Sequence, residues 1–434
     1  MTLSTSRCRT RGTSKSAWVL FACVLLLTAC SATVPPPRQP VHVGHPTPAA
    51  PGDALAASPL EAALQLESLL GQHAVLVTDM MRGRIRNDED FGQAANAAIG
   101  RNTDDLGALV GALFGEPASA QFRTMWADHV AALFNYSRGV ATGDATVRAD
   151  ARTALVDFEG RLAEFFSAAS QGRLPVDAAR TAAITHVDHL LQQADAYAAQ
   201  DFPRANALYR QGYAHTFDLG HTLATTLLPP EQAAVLDQPQ WRLRSTLGRL
   251  LGEHVALAVA ALRAGATTSP DFPAAADALN GNTSDLTAAI GSLFGESAGN
   301  QFMSLWADHI DQLVAYSAGV ARNDGSRRER AATELRAFEG RLAAFIEGAT
   351  GNRLTASVLV DALISHDEML MRGVDAFAAK DYPQAHDIAY RTYQHMFELA
   401  RPLSDAFGAA AAARLPQGGA QTGAGGMAAA PGSR

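Results

Sequence analysis

The feature that most restricts this chain is an internal duplication. Trp126-Ala127-Asp128-His129 returns as Trp306-Ala307-Asp308-His309. Around each copy the landmarks follow one order: a Gly-x-His, the Trp-Ala-Asp-His, a Phe-Glu-Gly-Arg-Leu, a further histidine, an Asp-aromatic-Pro and a Tyr-x-His. Apolar residues within each copy recur at steps of three and four, and alternating β-branched runs are absent, which is the signature of helix. The expected fold is therefore all-α: two tandem repeats, each a bundle of about five long helices plus a short one.

In the first repeat the periodicity predicts long helices near 59–83, 118–142, 146–170, 175–199 and 202–227. The short helix is expected to begin at Asn102-Thr103-Asp104-Asp105, matched by Asn282-Thr283-Ser284-Asp285. An Asn or Thr there would cap the free amides of a first turn, and the acids would suit its positive end. Gly115 and Gly143 are expected at breaks between helices, and Asp201 and Asp381 as caps.

The ends of the chain carry a different message. Arg7, Arg9, Arg11 and Lys15 precede an apolar run from Ala17 to Ala29, the pattern of a secretion signal. The run is shorter than the ~20 residues of a membrane span. It ends in Leu27-Thr28-Ala29-Cys30, which resembles the bacterial lipobox. That resemblance implies cleavage before Cys30 and lipid on the new N-terminus. The predicted organisation is a lipoprotein signal peptide over 1–29, a Pro/Ala-rich tether over 30–55, repeat 1 over 56–228, a linker over 229–240, repeat 2 over 241–407 and a disordered Ala/Gly-rich tail over 408–434. The alanine run of the tail is able to extend the last helix a little. Each repeat is expected to fold by itself.

Charge and cysteine content exclude several classes. Removing the four cations of the signal takes the formal charge from −8 to −12, the wrong sign for a nucleic-acid partner. Besides Cys30, the cysteines are Cys8 and Cys23, both inside the signal. The mature chain thus has no internal disulfide and no cysteine ligand for zinc, copper or iron–sulfur clusters.

What remains is histidine. His73, His129, His186 and His215 each fall on the apolar stripe of a helix and near its middle, and His254, His309, His366 and His395 repeat the arrangement. A helix of 25 residues is about 37 Å long, and the midpoints of packed helices of similar length share one layer. Four core-facing imidazoles per repeat are therefore expected to converge. Neutral imidazole suits Cu(II), Zn(II), Ni(II) and iron, and helix bundles carry metal sites in this way. Copper or zinc, one ion per repeat, is the expected cofactor. The helix without a histidine offers Glu159 or Glu339, which with Asp128 and Asp308 are candidates to ligate or to orient a histidine. The competing role for these histidines is structural, with hydrogen bonds in the core to each other or to Asp128, Tyr136, Glu159 and Asp195. His42 and His45 belong to the tether, while His189, His221 and His386 lack a counterpart and are read as surface or local features. Met369, Met371 and Met396 are read as core filler.

Leu251-Gly252-Glu253-His254, Asn282-Thr283, Leu305-Trp306-Ala307-Asp308-His309, His366 and Tyr393-Gln394-His395-Met396-Phe397 together resemble a helical domain of exported bacterial proteins. This domain often occurs in tandem, and some of its bearers carry the label copper amine oxidase. The label would imply copper and redox catalysis. The catalytic domain of that enzyme, however, is β-rich and makes its quinone from a Tyr within Asn-Tyr-Asp or Asn-Tyr-Glu. This chain offers Asn135-Tyr136-Ser137 and Ala315-Tyr316-Ser317. A Glu-x-x-His pair, a His-Glu-x-x-His and a phosphate-binding glycine loop are all missing.

Three functions fit these residues. The first is an exported protein, anchored to the cell envelope by lipid on Cys30, that binds or handles a transition metal without catalysis. The second is an envelope interaction module whose histidines are structural and whose helical faces bind a protein partner. The third is a metal-dependent redox enzyme.

Overall fold

The structure, a computed structural model, describes residues 58–414 of the 434. The expected signal peptide, Cys30, the tether to residue 55 and the tail beyond Arg414 lie outside them. The described residues are all-helical. Six long helices come first: α1 (Pro59–Ile85), α2 (Glu89–Phe114), α3 (Glu116–Thr142), α4 (Ala145–Ala169), α5 (Val176–Ala198) and α6 (Phe202–Leu227). A short α7 (Pro230–Leu236) follows, inside the expected linker. Six more long helices complete the chain: α8 (Pro239–Ala266), α9 (Phe272–Phe294), α10 (Glu296–Ala321), α11 (Gly325–Ala349), α12 (Ala356–Ala378) and α13 (Tyr382–Arg414). The alanine run at 408–414 extends α13, as the composition of the tail allowed.

Local chemistry explains the boundaries. Ser58, Asp88, Asp144, Asp201 and Asp381 accept hydrogen bonds from first-turn amides of α1, α2, α4, α6 and α13, which satisfies donors the helix itself leaves free. Gly115, at φ +87°, and Gly143, at φ +69°, end α2 and α3 in backbone conformations that a side chain disfavours.

One expectation needs correction. The short helix does not begin at Asn102. It is the full-length α2, and α9 is its long counterpart. Asn102 is buried in mid-helix, where its Nδ2 donates to the Leu69 carbonyl and to Gln72 Oε1, at 3.0 and 3.3 Å. Asn282 does the same to the Leu250 carbonyl and to Glu253 Oε2, at 3.0 and 2.9 Å. Asn102 and Asn282 therefore tie α2 to α1 and α9 to α8, while Thr103 and Thr283 donate to the carbonyls of Ile99 and Leu279 within their own helices; none of them caps a turn.

Two apolar cores form, one largely from α1–α5 and the other largely from α8–α13. Each reaches into the other half of the chain. Tyr390 of α13 lies in the first core, and Tyr209, Tyr213 and Phe217 of α6 lie in the second. Where the halves meet, Tyr213 and Tyr393 share a hydrogen bond of 2.8 Å between hydroxyls. The glycines of the two Gly-x-His motifs make room for them: a Cβ on Gly71 would sit 2.6 Å from the Tyr393 hydroxyl, and one on Gly252 would sit 2.6 Å from that of Tyr213. Ion pairs cross the same boundary. Arg210 of α6 holds Glu253 of α8 at 2.9 Å, and Arg263 of α8 holds Asp79 of α1 at 2.7 Å. The halves share this interface, in which Glu253 is 2% exposed and its cation belongs to the other half. No helix of the described residues is long and apolar enough to cross a membrane.

Candidate metal centres

The apolar stripe of α1 runs Leu66, Leu69, His73, Leu76, Met80, and that of α3 runs Phe122, Trp126, His129, Leu133, Tyr136, all of them buried. His186 enters from α5 among Ala179, Ala183 and Leu190. These three helices bring His73, His129 and His186 together, each offering a ring nitrogen within 4.8 Å of the others. In the second half α8, α10 and α12 do the same with His254, His309 and His366. All six rings are buried.

Two of the residues that return with each copy form the walls. Trp126 stacks on Phe122 and meets the rings of His73 and His129 at 4.7 and 4.5 Å. Phe158, from Phe-Glu-Gly of α4, lies flat on His129 at 4.3 Å. Trp306 meets His254 and His309 at 4.8 and 5.3 Å, and Phe338 stacks on His309 at 4.6 Å. Each cluster is thus clamped between a tryptophan and a phenylalanine, which restricts the imidazoles to a few orientations.

Burial keeps these rings neutral. It lowers His129, His186 and His254 from the ordinary histidine value to about 3, and the neighbouring histidines reinforce the effect on the first two. His73, His309 and His366 are lowered by burial and then by the other rings of their clusters. A neutral ring carries one lone pair, the form a metal requires.

In the first cluster His129 Nδ1–H donates to the Trp126 carbonyl at 2.6 Å, which turns its Nε2 lone pair inward. That Nε2 lies 3.1 Å from Nε2 of His73. The edge of a tetrahedron built on metal–nitrogen bonds of 2.0–2.1 Å is about 3.3 Å. Shifting the His73 proton to its Nδ1, which has no partner in the protein, would aim both Nε2 lone pairs at one point. His186 Nε2 likewise lacks a partner. In the second cluster both nitrogens of His254, His309 and His366 are without hydrogen-bond partners. Each such buried group costs about 1–3 kcal/mol if left unsatisfied. These donor sets fit a transition-metal ion, three imidazoles to each half.

The fourth histidine of each expected set does not join. His215 Nε2 donates to the Ala182 carbonyl at 3.0 Å, and His395 Nε2 to the Ala362 carbonyl at 2.9 Å. Both are half-buried and tie the last helix of their half to the one before it. The helix face was right, but each ring finds a backbone acceptor before it reaches the cluster. The acids divide as well. Asp128 and Asp308 are exposed and pair with Arg161 and Arg341 on the surface, at 3.3 and 3.6 Å, so neither supports a cluster. Glu159 and Glu339 are buried, and burial raises both carboxyls. Tyr136 and Asp195 serve elsewhere: the Tyr136 hydroxyl donates to Asp195, with Arg148 on both, and Tyr316, Asp375 and Arg328 repeat the trio.

Two residues were misread or missed in the sequence. His386 is buried at 1% exposure, against Phe91 and 3.9 Å from Asp79, and is not on the surface. Asp367 escaped attention altogether. It is 1% exposed, and its Oδ1 lies 3.4 Å from Nδ1 of His309 and 4.0 Å from Nε2 of His366. A difference between the copies could have flagged it, since His186 is followed by Val187 and His366 by Asp367.

A cavity of about 80 Å³ touches the first cluster. It is lined by the exposed Ala178 and Thr222 and by the buried Trp126 and His186, with Ala179 and Ala183 between. The matching positions in the second half hold the buried Leu359 and Leu363. Comparison of the chain with protein-family models, with curated proteins and with solved structures finds no match.

Proposed function

We propose that this is an exported protein, held to the cell envelope by lipid on Cys30, whose two halves are diverged copies of one helical bundle, each binding a transition-metal ion. The observation that carries the reading is the pair of buried three-histidine clusters at matching places in the two halves. Three neutral imidazoles leave at least one coordination position for water, another side chain or a ligand, which suits binding and transfer of the ion. Zinc and copper are among the metals that suit a nitrogen donor set without thiolate, with nickel and iron. The support for anchoring is the Leu-Thr-Ala-Cys at the end of the apolar run.

The test is elemental analysis of the mature protein purified without an affinity tag. Two metal ions per chain are expected, falling to one in either His129→Ala or His309→Ala. Trace metal in the wild type, together with no rise in melting temperature on adding Cu(II) or Zn(II), would leave the histidines as structural core residues. Cys30→Ala is expected to give an unprocessed precursor or a soluble protein; unchanged processing and membrane retention would rule out the lipid anchor.

A further inference from the structure

We propose that Asp367 makes the second cluster a three-imidazole, one-carboxylate centre for a divalent cation, distinct from the first cluster and binding its ion more tightly. The inference rests on the metal-binding reading above and adds to it that the two sites are not equivalent.

Asp367 is 1% exposed, and neither of its oxygens has a hydrogen-bond donor among the described residues. A carboxylate in such a place is strongly disfavoured unless a cation or donors compensate it. Among its neighbours are His309, with Nδ1 at 3.4 Å, and His366, with Nε2 at 4.0 Å, and both nitrogens lack partners themselves. Glu339 adds a second buried carboxyl, whose Oε2 is also unpartnered. This corner thus gathers acceptors and lone pairs with no Lys or Arg paired to Asp367, and a divalent ion would satisfy them together.

The first half shows what the acid replaces. There His129 Nδ1 is fixed by the Trp126 carbonyl at 2.6 Å, and the position of Asp367 is the apolar Val187. His309 Nδ1 makes no such bond to a carbonyl and faces a carboxylate instead. From there Asp367 can ligate the ion directly, or accept from His309 Nδ1–H and raise the basicity of a ligating Nε2. Either way its charge counts. A divalent ion among three neutral rings keeps its full +2 in an apolar layer, whereas one beside Asp367 is half neutralised.

The test uses the full chain, stripped of metal and titrated with Zn(II) against a chromophoric chelator. Two phases are expected, one ion binding about 10–100-fold more tightly than the other. His309→Ala should remove the tight phase and His129→Ala the weak one. Asp367→Asn, and Asp367→Val as a copy of the first half, should bring the tight phase close to the weak one and leave the weak one unchanged. Asp367→Glu should recover part of the difference. Co(II) gives a second readout, because its visible bands report the ligand set and should change in Asp367→Asn at the tight site alone. Circular dichroism establishes that each variant is folded. Equal affinities in the wild type, a tight phase that survives Asp367→Asn, or a tight phase lost with His129 rather than His309 would overturn the proposal while leaving metal binding intact. A chain that takes up neither Zn(II) nor Co(II) would overturn both readings.

Discussion

The hydroxyls of Tyr213 and Tyr393 meet at 2.8 Å in the middle of the protein, each from the last long helix of its half. They are the same residue of the two copies, and each is accommodated by the glycine two positions before a cluster histidine of the other half, Gly252 for Tyr213 and Gly71 for Tyr393. The Gly-x-His motif therefore joins two jobs on one helix. Its histidine serves the cluster, and its glycine, on another face, lets the halves approach.

Substituting either glycine tests this joint. Gly71→Ala or Gly252→Ala places a methyl 2.6 Å from a tyrosine hydroxyl and against a phenylalanine ring. Overpacking of this kind costs about 1–3 kcal/mol. Urea unfolding should show that loss for each, and a smaller one of about 0.5–1.5 kcal/mol for Tyr393→Phe, which removes only the hydroxyl. Glycine variants as stable as the wild type would mean that the halves do not pack this closely.

Separating the halves should weaken both. Residues 58–228 and 238–414 expressed apart are expected to be helical. Glu253 would then lose Arg210, the cation from the other half that holds it at 2.9 Å. Each fragment should melt below the intact chain, and mixing them should raise both transitions. Fragments that melt like the intact protein would show that the interface adds nothing.

The cavity beside His186 is lined from the exposed Ala178 and Thr222 to the buried ring itself, and metal uptake at the first cluster is expected to use it. Ala183→Leu, which copies Leu363 of the second half, should slow metal uptake at the first site and leave the second unaffected. It should also hold stability constant or raise it by about 0.5–2 kcal/mol, as cavity filling does. Stopped-flow mixing with Zn(II) in a His309→Ala background isolates the first site. An unchanged uptake rate would place the path elsewhere.

His386 should make the protein acid-sensitive. Burial, together with Arg263 and Arg101, lowers it from the ordinary value of 6.5 to about 3, and Asp79 opposes them weakly. The unfolded chain binds this proton near pH 6.5 and the folded chain does not until about pH 3. Its contribution is therefore fully present above pH 6.5 and lost as pH falls toward 3, with a slope approaching ~1.4 kcal/mol per pH unit. His386→Asn copies Asn206, the buried residue at the matching place in the first half. This variant should lose stability less steeply than the wild type between pH 6.5 and 5. Identical slopes in unfolding titrations would show that His386 is protonated in the folded protein.

Helix content, the duplication and the core-facing positions of His73, His129, His186 and their counterparts were all legible in the sequence. Each follows from 3.6-residue periodicity and from landmarks repeated along one chain, which are local properties. The extent of α2 was not legible, because its middle carries Asn102 and Thr103, residues that favour helix ends. Only the neighbouring α1, with acceptors at Leu69 and Gln72, makes Asn102 an interior residue, and Thr103 is satisfied by Ile99 of its own helix.

The make-up of the clusters needed the tertiary structure for a similar reason. Periodicity assigns a side chain to a face and a height, and His215 and His395 satisfied both. Whether a ring then meets other rings or the carbonyl of Ala182 or Ala362 depends on how two helices are offset by a few ångströms. Asp367 shows the reverse, since an acid one residue from a core histidine reads as surface in a linear pattern and here lies among buried rings. The sequence by itself determined that this is an all-helical chain with two sets of buried imidazoles, because apolar spacing decides which residues leave water. Only the tertiary structure decided that each set is three and that a buried acid lies beside the second. Those facts depend on distances between helices far apart in the chain, which no local pattern encodes.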